Sequence, residues 1–209
     1  MSSAERLSRA RLYLVIDADA AERVVPAALE GGVDLVQLRE KSAPDDDVVE
    51  MGRRLRSRCD EHGALLIIND RPDLAMACGA DGVHVGQDDM PLDEARAIVG
   101  AERIVGVSTH SPEQVDGALR STADYFAVGP VYSTPTKPGR PAVGLELVRY
   151  AAEHEAAKPW FAIGGIDTSN VAEVARAGAT RIVVVRAIRN ADDPRAAASA
   201  LRLEAAHVH

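Results

Sequence analysis

Residues 67–89 read IINDRPDLAMACGADGVHVGQDD. Two apolar runs, 65–68 and 82–85, each lead into a polar cluster: Asn69-Asp70 after the first, Gln87-Asp88-Asp89 after the second. Between them, RPDLAMACGA spells a short helix opened by Pro72 and closed near Gly79. Strand, helix and strand make a βαβ unit, whose two strands are parallel and neighbouring. Both polar clusters then leave the sheet at its carboxyl edge, which brings Asp70 and Asp89 within reach of each other. Two carboxylates held close repel unless a proton or a cation lies between them. Oxygen ligands suit a hard divalent cation, and Mg²⁺ usually takes one or two carboxylates together with substrate phosphates.

Outward from this unit the same alternation continues. Further strands are expected at 11–17, 34–40, 103–109, 125–129, 160–165 and 181–185. Helices are expected at about 19–30, 45–62, 92–99, from Pro112 onward, 145–157 and 168–177, with an Ala-rich helix closing the chain. Asp17 stands where it can cap the first of these. Ser111-Pro112 is a cap followed by a first-turn proline. The strands are short, nearly continuous apolar runs, the pattern of strands buried on both faces. Eight βα units in 209 residues predict a single-domain (β/α)8 TIM barrel over residues 1–209. A doubly wound open sheet is the alternative.

Composition narrows the function. The chain carries a net charge of -8, without the basic stripe of a nucleic-acid binder. Cys59 and Cys78 form no CxxC, so neither structural zinc nor a disulfide framework is expected. The first residues are charged throughout, and no apolar run approaches the ~20 residues that span a bilayer. The expectation is a cytoplasmic protein acting on small molecules, with no membrane or nucleic-acid partner; a homo-oligomer is compatible with the sequence. With two Phe and one Trp, aliphatic side chains are expected to fill the core.

In such barrels the active site sits at the carboxyl ends of the strands. Strand two ends Gln37-Leu38-Arg39-Glu40-Lys41, and alternation puts Gln37, Arg39 and Lys41 on one face. Strands three to five supply Asn69, Asp70, Asp89 and Ser108. Strand six leads into Thr134-Pro135-Thr136-Lys137, strand seven ends at Gly164-Gly165, and strand eight ends at Val185-Arg186. Three cations (Arg39, Lys41, Lys137) facing carboxylates and an amide suit a highly anionic group bridged to a metal, and diphosphate fits. Backbone N–H groups at Gly164-Gly165 and Val185-Arg186 suit a second phosphate. Plainer readings exist for single residues: Gly164-Gly165 as a turn, Asp70 as a helix cap, Lys137 as a surface residue, His84 as a packed core histidine, His110 as either. The inference rests on the combination, since most of the eight strand ends carry groups suited to anions or metal.

QLREK at 37–41, IINDRPDLA at 67–75, DGVHVGQDDMP at 81–91, GVSTHS at 106–111, AVGPVYSTPTK at 127–137 and AIGGI at 162–166 together resemble the thiamine phosphate synthase family. The resemblance runs from strand one to strand eight. It implies a Mg²⁺-dependent condensation of a pyrimidine-methyl diphosphate with a thiazole phosphate, giving thiamine phosphate and diphosphate. It further implies that Gln37, Arg39, Lys41, Asn69, Ser108 and Lys137 hold the pyrimidine diphosphate. Asp70 and Asp89 would bind Mg²⁺, while Thr134, Thr136, Gly165 and the Val185–Arg186 backbone would bind the thiazole phosphate. One departure stands out: the family usually has Ser after the last strand's Val, where this chain has Arg186. A related thiazole tautomerase carries a catalytic His after the glycine of strand six. Here Pro130 follows Gly129, and the two-Asp site is intact. A silent binder of a phosphorylated ligand would be expected to have lost Lys137 or the metal ligands, and this chain has kept them.

Overall fold

The computed structural model describes residues 1–134, 141–154 and 158–206, the last four of these by backbone alone. Eight strands form a closed barrel: β1 (Leu12–Ile16), β2 (Leu35–Leu38), β3 (Leu65–Asn69), β4 (Gly82–Val85), β5 (Ile104–Thr109), β6 (Tyr125–Val128), β7 (Trp160–Ile163) and β8 (Ile182–Val184). Each pairs in parallel with the next, and β8 pairs with β1, so the open-sheet alternative fails. The connecting helices are α2 (Ala18–Glu30), α3 (Asp45–His62), α4 (Pro72–Cys78), α5 (Leu92–Val99), α6 (Pro112–Arg120), α7 (Gly144–Glu153) and α8 (Val171–Arg176). Helix α1 (Ser3–Arg9) precedes the barrel, and α9 (Arg186–Arg189) and α10 (Pro194–Ala206) follow β8.

Local sequence explains the helix starts. The Asp17 carboxylate accepts the Ala20 N–H at 3.1 Å at the head of α2. Ser111 accepts the Gln114 N–H at 3.4 Å at the head of α6, with Pro112 in its first turn. Helix α1 departs from expectation. Ser2 and Glu5 form a reciprocal capping box, with bonds of 2.7 and 3.2 Å, and its S-x-x-E spacing is plain in the sequence. Leu7 of α1 and the following Ala10 pack into the barrel interior and close its amino end.

Burial forms two layers. One lies between the strands and the surrounding helices; the other fills the barrel. The inner layer corrects the aliphatic expectation: Tyr13, Tyr125 and Phe161 meet there edge to face, with ring centroids 5.5–6.0 Å apart. Seven aromatic residues are few, but three of them are concentrated inside the barrel.

The amino end of the barrel is tied by a repeated device. Asp34, Asp81 and Asp124 each stand just before an even-numbered strand and accept a backbone N–H of the preceding odd strand. The bonds are Leu12 N–H at 3.0 Å, Leu66 N–H at 2.8 Å and Val105 N–H at 2.8 Å. Each carboxylate is also paired with arginine: Arg202 with Asp34, Arg6 and Arg56 with Asp81, Arg96 with Asp124. These ties lie at the end opposite the strand termini that carry the polar clusters. Among the described residues no helix is long and apolar enough to cross a membrane.

Candidate active site

A cavity of about 280 Å³ opens at the carboxyl ends of the strands. Its walls include Gln37 and Arg39 from the β2 end, Asn69 from β3, Ser108 from β5, Thr134 after β6, Gly164-Gly165 after β7 and Val185-Arg186 after β8. Residues predicted from six separate stretches of sequence therefore converge on one space. Strand β2 stops at Leu38, two residues earlier than expected. The Arg39 N–H still bonds the Ile16 carbonyl at 2.8 Å, which holds that side chain at the rim. Thr136 and Lys137 lie outside the described residues.

Asp70 and Asp89 come together as expected. Their carboxyl groups are in hydrogen-bonding contact, and the Asn69 amide donates to Asp70 at 2.5 Å. Burial first, and then the facing Asp89 carboxylate, push the Asp70 pKa above its usual range; Asn69 and the charge of Lys41 oppose them. The helix-cap reading of Asp70 fails, because α4 starts after Arg71 with no side-chain cap. Asp70 instead takes a left-handed backbone, φ 61°, the one such residue other than glycine among those described. Aspartate tolerates that conformation better than most residues, and it turns the carboxylate toward the β4 loop. There the Gly86 N–H donates to Asp89 at 3.1 Å. Among the described residues no group of three or more His, Cys, Asp and Glu could hold a metal. A pair of carboxylates supplies hard oxygen ligands, which suit Mg²⁺ rather than a zinc-type site.

Lys41 is exposed and lies outside the cavity wall, close enough for its charge to act on Asp70. Its loop is organised by Glu40, whose role sequence reasoning missed. One Glu40 oxygen accepts the Lys41 N–H at 2.8 Å, the Ser42 N–H at 2.9 Å and the Ser42 hydroxyl at 2.9 Å. These bonds, those from Ser42 foremost, hold the Glu40 pKa down at about 2. The available signal was position: a carboxylate just past a strand end, before a run of N–H groups that no strand or helix uses.

His84 is buried, as the core reading has it, yet both ring nitrogens are engaged at the cavity floor. Nδ1 meets the Tyr125 hydroxyl at 3.0 Å and Nε2 meets the Ser108 hydroxyl at 2.9 Å. His110 also lines the cavity, its Nδ1 on the Gly129 carbonyl. On the far wall, Gly165 has φ 67°, and a Cβ there would stand 2.7 Å from the Tyr132 Cβ, so only glycine fits. The Asn170 amide fixes this turn by donating to the Gly165 carbonyl at 2.8 Å. Arg186 is exposed at the first residue of α9, beside the turn.

The model of the family described as thiamine monophosphate synthase matches residues 12–188, from the first strand through α9. The chain belongs to this family. A thiamine-phosphate synthase of Mycolicibacterium smegmatis is 52% identical over 95% of this chain and 93% of its own. One of Saccharopolyspora erythraea is 55% identical over 94% of this chain and 93% of its own. The solved thiamine phosphate pyrophosphorylase of Pyrococcus furiosus superposes with a TM-score of 0.87, at 36% identity over 98% of both chains. As a member of the thiamine monophosphate synthase family, the chain is an enzyme of the transferase class. Pro130 lines the cavity where the tautomerase reading would need a histidine, and its ring offers no proton to exchange.

Proposed function

We propose that the enzyme condenses a 4-amino-2-methyl-5-(diphosphooxymethyl)pyrimidine with a thiazole phosphate, giving thiamine phosphate and diphosphate. The observation that carries this reading is the Asp70–Asp89 pair beside Asn69 and Lys41. Two carboxylates that crowd each other next to cations are poised for a cation-bridged polyanion. Asp70 and Asp89 would hold Mg²⁺, which when bound would neutralise charge on the diphosphate.

Arg39, Lys41 and Lys137 stabilise the charge that grows on the diphosphate as the C–O bond breaks and both electrons leave with oxygen. Asn69 orients the diphosphate. Gln37 and Ser108 hold the aminopyrimidine, whose electron-rich ring stabilises the methylene cation in an SN1-like path. Gly164-Gly165, Val185-Arg186, Thr134 and Thr136 seat the thiazole phosphate, so that the thiazole nitrogen faces the methylene carbon and forms the new C–N bond. No protein nucleophile is used; the protein supplies position and electrostatics.

The test is product stoichiometry with purified enzyme, both substrates and Mg²⁺. Thiamine phosphate and diphosphate should appear in equal amounts. Folded enzyme that forms neither would overturn the reading.

A further inference from the structure

A chain of four hydrogen bonds runs beneath the cavity from one wall to the other. The Gln37 amide nitrogen meets the Tyr13 hydroxyl at 2.5 Å, and the Tyr13 and Tyr125 hydroxyls lie 2.9 Å apart. The Tyr125 hydroxyl meets His84 Nδ1 at 3.0 Å, and His84 Nε2 meets the Ser108 hydroxyl at 2.9 Å. Gln37, Tyr13, His84 and Tyr125 are all buried. Burial above all raises both phenol pKa values, so each hydroxyl keeps its single proton.

One proton per hydroxyl gives the chain a direction. The Tyr13 oxygen accepts from the Gln37 amide and passes its own proton to Tyr125. With the Gln37 amide nitrogen on the Tyr13 oxygen, this order gives each phenol proton an acceptor, Tyr125 for Tyr13 and His84 Nδ1 for Tyr125. Tyr125 therefore donates to His84 Nδ1, which places the imidazole proton on Nε2, where it is donated to Ser108. At the two ends, Gln37 is left to offer its carbonyl oxygen to the cavity, and Ser108 its O–H. We infer that Tyr13, Tyr125 and His84 are positioning residues that lock Gln37 as an acceptor and Ser108 as a donor, and so select an amino-substituted heterocycle over its oxo counterpart. An exocyclic amine donates to Gln37 while a ring nitrogen accepts from Ser108. The oxo ring presents the reverse pair and leaves buried groups unmatched, the strongest form of rejection by hydrogen bonding.

The surroundings are shaped for the chain. Gly106 on β5 pairs with Tyr125, and a Cβ there would stand 2.1 Å from the Tyr125 ring and 2.5 Å from its hydroxyl. The Tyr13 and Tyr125 rings are wedged by Phe161, with centroids at 5.5 and 5.7 Å. A strand residue without a side chain and an edge-to-face wedge hold the phenols where their oxygens meet.

This inference rests on the proposed function and deepens it. The measurement is the ratio of kcat/KM for the aminopyrimidine diphosphate to that for its 4-oxo analogue. Tyr125→Phe removes the middle link and keeps the ring, which frees the Gln37 amide and the His84 tautomer to reverse. The ratio should fall by about 10-fold or more, with the change in KM for the pyrimidine and little change in KM for the thiazole phosphate. Tyr13→Phe breaks the next link and should do the same, so it serves if Tyr125→Phe does not fold. An unchanged ratio in a folded tyrosine variant overturns the inference while leaving the proposed function standing. Absence of wild-type turnover overturns both.

Discussion

Asp70 and Asp89 sit on separate loops, nineteen positions apart in sequence, with their carboxyl groups in hydrogen-bonding contact. Burial and the Asp89 charge raise the Asp70 pKa, so in metal-free protein ionising both groups costs stability. The sign follows. A group whose folded pKa is raised gives most stability below its ordinary pKa and loses it as pH rises through the raised value. A bound divalent cation offsets that loss. Mg²⁺ should therefore raise Tm near neutral pH by about 5–10 °C at a hundredfold excess over Kd, with a smaller rise as pH falls toward the ordinary carboxylate range. Calorimetry with Mg²⁺ and with EDTA checks this; a rise that is independent of pH would contradict it.

Asp89→Ala removes one half of the pair from an exposed loop that bears little on the core. Condensation should drop at least 100-fold while Tm in EDTA stays equal or increases, because like-charge repulsion is relieved. Steady-state rates and thermal melts read both, and substantial residual turnover would count against the metal role.

Glu40 organises the Lys41 loop, and its pKa is lowered to about 2. A lowered group stabilises above its ordinary pKa and loses that contribution as pH falls through the lowered one. Glu40→Gln should cost about 1 kcal/mol, or about 2–4 °C in Tm, at pH 7. The gap should close as pH falls below 4 toward 2. The variant should also raise KM for the pyrimidine diphosphate more than for the thiazole phosphate, since Lys41 loses its held position.

Arg186 is exposed beside the Gly164-Gly165 turn, at the position where the resemblance implies Ser. Arg186→Ser should change KM for the thiazole phosphate more than kcat. An unchanged KM would rule out a direct role for the side chain and leave phosphate to the backbone N–H groups.

At the opposite end, Asp81 is nearly buried and meets Arg6, Arg56, Ser3 and the Leu66 N–H. Asp81→Ala leaves Arg6 without its carboxylate and Arg56 with Asp60 alone, and should cost about 3–5 kcal/mol. Denaturant melts should show this loss with both KM values unmoved, because no cavity residue touches Asp81.

Much of this was legible because eight βα repeats are punctuated by their own signals. Pro72 and Pro112 open helices, Gly63 and Gly79 close them in the left-handed conformation, and Leu92–Val99 is bounded as its pattern predicts. Barrel topology then converts strand ends into one site, so Gln37, Asn69, Asp70, Asp89 and Ser108 could be assembled without coordinates. What was hidden depends on contacts between strands distant in sequence. Tyr13 and Tyr125 read as ordinary apolar strand residues, and only closure of the barrel brings their hydroxyls together. Nothing in GVHV distinguishes a packed His84 from one bridging Tyr125 and Ser108. Helix α1 is different: its Ser2–Glu5 box is readable in the sequence, but the charged residues around it give only a weak apolar pattern.

The most direct measurement is the initial rate of thiamine phosphate formation from pyrimidine-methyl diphosphate and thiazole phosphate, with Mg²⁺ and with EDTA. Product with metal and none with EDTA is the predicted result. Equal rates in both conditions would contradict a cation held by Asp70 and Asp89.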